Sequence, residues 1–306
     1  MEILKSVFNY LVFPGLLFSV FAGLMAGWID RKVSARLQWR VGPPWHQNFT
    51  DIIKLSGKET IFPQGGKFTF LLSPFLGFLS ASLVAAILGW SILNPDKSFS
   101  SDLIVVLYLL LVPAVAIILG ASASRNPLAS VGASREMKMV LAYELPFILA
   151  VIAMIIKSSG AIQLGKVINH QLFFGSNVFS FSGFLAFVSI IFCMQAKLGL
   201  VPFDASEAEQ EIMGGALIEY SGLGLALFKL TKAVMLYTMP LFVIILFIGR
   251  DLSPLFVILK FVGILVIIIL IKNTNPRLRI DQAMRFFWRV PTVLSVIAVV
   301  LAIFGK

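Results

Sequence analysis

The sequence predicts an all-α integral membrane protein of about eight transmembrane helices, with one short amphipathic helix on the cytoplasmic side. The 306 residues are 58% hydrophobic and 13% charged, with a mean hydropathy of +0.95, against about 25% charged residues in soluble domains. Apolar runs approaching the ~20 residues that cross a bilayer recur along the whole chain. Basic residues gather in alternate loops between those runs, a membrane-topology pattern.

The spans are expected at 8–29, 68–93, 103–122, 139–157, 178–198, 223–249, 253–272 and 289–305. The first, apolar from Tyr10 to Trp28, lacks a basic leader and a small-residue cleavage site and is read as a retained span. In the long loop after it, Gly42-Pro43-Pro44 interrupts any helix. Beyond that break, Phe49, Ile52, Ile53 and Leu55 fall near one face of 48–59, while Asp51, Lys54, Lys58 and Glu59 stay wet. Such a helix lies on the membrane or under a partner. Asn94-Pro95-Asp96 marks the turn between the second and third spans. Pro74, Pro113, Pro146 and Pro240 lie within or near spans, where neighbouring helices can compensate a lost backbone bond. With no internal repeat or soluble segment, residues 1–306 form a single multi-spanning membrane domain.

Eight spans place both termini on one side. Loops after the odd-numbered spans carry 16 Lys and Arg residues, and the opposite loops with the termini, including Lys5 and Lys306, carry six. The positive-inside rule therefore places the odd loops in the cytoplasm and both termini outside a cell membrane. The net charge of +10 does not indicate nucleic acid, because the cations are spread over short loops rather than one face. Cys193 is the single cysteine, and His46 and His170 are far apart. No catalytic residue, disulfide framework or metal set is expected in this chain, and any redox metal belongs to another subunit.

Five carboxylates, Asp204, Glu207, Glu209, Glu211 and Glu219, one third of the 15 acidic residues, fall within sixteen positions. Asp204 is expected to cap a helix starting after Pro202-Phe203, with Glu207 completing a capping box. On such a helix Glu207 and Glu211 share a face and Glu209 points away. Mutual repulsion and desolvation would raise their proton affinity and suit them to proton exchange; a solvated helix ended by Gly214-Gly215 is the plainer alternative. Glu144 sits in the fourth span between apolar residues, either on a polar path or held by snorkelling or structural pairing. Lys229 and Lys232, three apart in the sixth span, are natural partners for these carboxylates. Lys260, alone in the seventh, has a functional role as an intramembrane charge or else snorkels to a headgroup or seals a helix contact. Arg36, Arg40, Arg277 and Arg279 lie in cytoplasmic loops, positioned for anionic lipid or a partner's carboxylates.

Four islands together carry a family resemblance: Arg36-Leu37-Gln38-Trp39-Arg40-Val41-Gly42-Pro43; Val131-Gly132-Ala133-Ser134-Arg135-Glu136 with Tyr143-Glu144; Pro202 to Glu211 with Glu219-Tyr220-Ser221-Gly222; and Pro276-Arg277-Leu278-Arg279-Ile280-Asp281-Gln282. The chain resembles the H-type, ND1-like membrane subunit of respiratory complex I, which lies closest to the peripheral arm, a family shared with energy-converting membrane-bound hydrogenases. Asp51-Ile52-Ile53-Lys54-Leu55, Gly132-Ala133-Ser134-Arg135-Glu136 and Ser206 to Glu211 are similar to the nickel-iron hydrogenase branch. Ile218 stands where quinone-reducing members typically carry threonine or a similar polar residue. The resemblance implies a non-catalytic membrane anchor in a redox-driven ion pump. Its partners would be the large and small subunits of a peripheral ferredoxin-oxidising module, which hold the nickel-iron site and iron-sulfur clusters, and antiporter-like membrane subunits. Glu144, Asp204, Glu207, Glu209, Glu211, Glu219, Lys229 and Lys232 would couple electron transfer to proton or sodium movement. Arg36, Arg40, Arg135, Arg277 and Arg279 would dock the module. A sulfur-reducing or quinone-reducing complex is the alternative, and a stand-alone transporter a more distant one, since inverted repeats are not evident.

Overall fold

The computed structural model describes residues 8–63, 65–98 and 101–305, without the side chains of residues 209 and 210. Lys5, Lys306 and the side chain of Glu209 therefore lie outside the described residues. Among those described there is no strand. Helices α1 (Leu16–Leu37), α3 (Lys67–Leu93), α4 (Asp102–Ala123), α5 (Pro127–Lys157), α9 (Gly222–Phe247) and α10 (Pro254–Thr274) account for six spans. The chain from 280 to 303 supplies a seventh as α11 (Ile280–Arg289) and α12 (Pro291–Ile303). The remaining apolar helix, α7 (Phe181–Lys197), has 17 residues, about 26 Å at ~1.5 Å per residue against a hydrocarbon core of ~30 Å. Each expected span finds a helix, and the chain is a multi-pass membrane protein. The amphipathic helix of the first loop is α2 (Gln47–Ser56), and α6 (Leu164–Phe174) lies between α5 and α7.

Three boundaries differ from the sequence expectation for identifiable reasons. α5 begins at Pro127 rather than 139, because the Asn126 side chain accepts the Leu128 N–H at 2.8 Å and Pro127 occupies the first turn. Arg135, Glu136 and Lys138 interrupt the apolar signal along that extension without interrupting the helix. α1 continues past Trp28 to Leu37. The last span starts early, in amphipathic α11, and breaks at Val290 before Pro291.

α9 is the most buried span and the centre of the bundle, packed against α1, α2 and α3. Gly23 of α1 lies directly on the Ala233 backbone, so any Cβ there would overlap it. Small residues permit such close helix crossings in membranes. α12 packs on α5 and α7. Hydroxyls inside the spans, such as Ser80, Ser91, Thr231 and Thr238, donate to carbonyls three or four residues earlier on their own helices, which removes the cost of bare polar groups.

The last carbonyls of α9 are capped from three places. Gln171 of α6 donates to Ile245 and Leu246 at 2.7 and 3.2 Å and accepts the Gly249 N–H at 2.7 Å. Asn177 donates to Leu246 at 2.9 Å, and Lys260 donates to the carbonyls of Ile248 and Asp251 at 2.8 and 2.6 Å. Lys260 thus seals a helix end.

Candidate functional site

The acidic segment begins where α7 ends. Gly199, at φ +60, turns the chain, and 201–207 run as turns around a cis Val201–Pro202 bond. The expected capped helix is not there: the α-helix of the segment, α8 (Glu209–Ile212), is one turn long, a 3-10 turn follows at Gly215–Leu217, and Asp204 caps neither. Glu207 lies outside α8, so Glu207 and Glu211 share no helical face. The physical reason is the placement of the opposing charges, which surround the segment and draw its acids in different directions.

Asp204 pairs with Arg277 at 3.0 Å, in the loop before α11, where the Leu278 N–H also donates to the Pro202 carbonyl at 3.0 Å. Glu207 pairs with Lys232 of α9. Glu211 pairs with Arg135 of α5, which also donates to the Ala205 carbonyl at 3.3 Å. Glu219 accepts from the Asn126 side chain, the residue that caps α5. Burial pushes the Asp204 carboxyl above its ordinary value, and the Arg277 guanidinium opposes the rise.

Glycine makes this loop compact. Gly214 and Gly215 both have positive φ, 94° and 53°, and a Cβ on Gly215 would strike the Ser206 carbonyl. Gly132 of α5 faces the Ala216 backbone with no space for a side chain. Gly214-Gly215 therefore folds the loop against α5 instead of merely ending a helix.

Two cavities flank the Glu207–Lys232 pair. The outer one, about 310 Å³, is bounded by α1, α2, α9 and residues 198–200, with Asp30, Arg31, Asn48, Asp51, Lys229 and Lys232 on its wall. There Asp30 pairs with Lys272 at 2.7 Å and Arg31 with Asp51 at 3.3 Å. Lys229 has no ion pair among the described residues. The inner chamber, about 40 Å³, brings together Glu136, Lys197, Ser206, Glu207 and Lys232. It is polar and exceeds the ~10–15 Å³ that one water requires. From its wall Lys197 reaches Glu144 at 2.7 Å, with its side chain 1% exposed and its ammonium 4.2 Å from the Phe147 ring centre.

Glu144 is thus paired with Lys197, and Lys232 with Glu207, while Lys229 stands apart. Glu136 and Lys197 are the residues that sequence reasoning passes over. Glu136 is visible as the end of the Gly132–Glu136 island, but Lys197 reads as an ordinary loop anchor at the end of a span. Of the five arginines expected at the docking surface, Arg36, Arg40 and Arg279 are exposed and free of ion pairs among the described residues, whereas Arg135 and Arg277 pair within the chain. No three His, Cys, Asp or Glu side chains among the described residues converge to hold a metal.

A bundle of long apolar helices with charged pairs among them defines a polytopic membrane protein. The family model described as NADH dehydrogenase matches residues 10–303, and the chain belongs to that family. The H-type subunit of NADH-quinone oxidoreductase from Thermomicrobium roseum is 32% identical over 96% of this chain and 94% of its own length. Its counterpart from Brevibacillus brevis is 30% identical over 92% of this chain and 88% of its own. A chain from the membrane-bound sulfane sulfur reductase, an archaeal respiratory membrane complex, superposes with a TM-score of 0.87 at 26% identity, over 97% of this chain and 99% of that one.

Proposed function

We propose that the chain is the non-catalytic membrane subunit of a redox-driven ion-pumping complex. It anchors a peripheral ferredoxin-oxidising nickel-iron hydrogenase module and couples electron transfer there to proton or sodium translocation. The observation that carries this reading is the run of charge from the acidic segment into the bundle: Glu207 with Lys232, Glu136 on the inner chamber, then Lys197 with Glu144. Ionisable groups at such depth are retained for transport paths more often than for stability. The free arginines Arg36, Arg40 and Arg279 provide docking chemistry on the cytoplasmic side, lipid filling the remaining perimeter, and antiporter-like membrane subunits receive the coupled change.

The likeness to the sulfane sulfur reductase chain favours a second reading, the same coupling role beneath a sulfur-reducing module. Nickel content together with hydrogen evolution in the purified complex separates the two. The coupling role itself is tested with Glu144→Gln in the assembled complex reconstituted into liposomes. Redox turnover is expected to continue while the ion gradient it builds falls at least tenfold; an undiminished gradient with full assembly overturns the reading.

A further inference from the structure

We propose that Lys232 is a two-position gate between the outer cavity and the inner chamber, its ammonium moving between Glu207 and Glu136. The inference rests on the coupling role above and gives it a moving part. Lys232 is the one charged residue on the walls of both cavities; the other shared residues are Leu198 and Gly199. A Cβ on Gly199 would meet nothing within 4 Å, so packed side chains do not fill this part of the shared wall. The pair with Glu207 is not sealed, the two side chains being 36% and 24% exposed. Glu136 lines the same chamber, accepts from the Ser206 hydroxyl, and has no ion pair among the described residues.

One ammonium thus serves two carboxylates in a space of about 40 Å³. The carboxylate without the lysine carries the desolvation cost unaided and is driven to hold a proton. With Lys232 on Glu207, Glu136 is the protonated partner. When the ammonium crosses to Glu136, that proton leaves through chamber water toward the Lys197–Glu144 pair, and Glu207, whose side chain is 24% exposed, takes one from outside the chamber. Lys232 keeps its charge throughout; when it returns, the proton on Glu207 passes to Glu136 through chamber water, so a full cycle of two crossings moves one proton inward. The surrounding charges restrict the lysine to these two positions. Lys197 is held by Glu144, Lys229 repels from the same helix, Asp204 is occupied by Arg277, and Asp30 and Asp51 on the outer cavity are occupied by Lys272 and Arg31.

The test is the structure of the assembled complex carrying Glu207→Gln. The Lys232 ammonium is expected within about 3 Å of a Glu136 oxygen. An ammonium that stays at position 207, or turns toward Asp30 or Asp51, overturns the proposal. If that variant does not assemble, Lys232→Met is read by infrared spectroscopy of protonated carboxyl groups. A further carboxyl band, from Glu207, should appear relative to the unsubstituted complex, while Glu136→Gln alone should remove a band that the unsubstituted complex already shows; an unchanged spectrum in either variant overturns the gate. Neither readout depends on ion pumping, so the gate can fail while the dependence on Glu144 stands.

Discussion

Lys197 brings a charge to a place where only 1% of its side chain meets solvent, and Glu144 is its ion-pair partner. Breaking such a pair from one side leaves a bare charge and costs about 3–5 kcal/mol, whereas replacing both partners by apolar residues is often neutral. Lys197→Met is therefore expected to lower the thermal midpoint of the solubilised complex by several degrees, and Lys197→Met with Glu144→Leu to recover most of it. Equal losses in the single and double variants would show that the pair contributes nothing beyond its separate residues. Glu144 is legible in the sequence because apolar neighbours surround it. Its partner is not, since a lysine closing a span looks the same whether it snorkels outward or folds back onto the preceding span. Glu136 is hidden in another way: it follows Arg135 in a stretch polar enough to pass for loop, and only the cap at Asn126 makes that stretch helix.

Among the elements, hydropathy locates eight apolar helices, seven of them long enough to cross a membrane and α7 shorter, and the facing apolar and charged residues locate α2. What the sequence does not disclose is how the acidic segment folds. Local spacing of Asp204, Glu207 and Glu211 favours a capped helix, but their cations lie on α5, α9 and the loop before α11, and long-range pairing overrides the local preference. The opposite end of α9 shows the same dependence on distant residues, since its carbonyls are satisfied by Gln171, Asn177 and Lys260. Gln171→Leu leaves buried groups unpaired at about 1–3 kcal/mol each. The expected result is a lower thermal midpoint together with faster amide exchange at 245–249. Unchanged exchange there would mean that Asn177 and Lys260 suffice to cap the helix.

For the molecule as a whole, the loop charges make a prediction about sidedness. Lys58, after the first span, and Lys166, on α6 between the fourth and fifth, are both exposed, and the one native cysteine is buried. A membrane-impermeant maleimide should label Lys166→Cys in intact cells and Lys58→Cys only in inverted vesicles; the reverse pattern would turn the topology over. The fastening of α9 bears on how such a molecule can move. One end is gripped by several uncharged and charge-assisted hydrogen bonds whose donors no titration near the acidic segment will alter. The other half meets the segment through a single side-chain ion pair, Lys232 with Glu207. That half is nevertheless fixed in place, with Gly23 flush on the Ala233 backbone and Ser221 hydrogen-bonded to Glu59 and Ile61, so a change of charge at Glu207 is taken up by the lysine side chain, as by a needle turning on a fixed post, while the helix itself stays still.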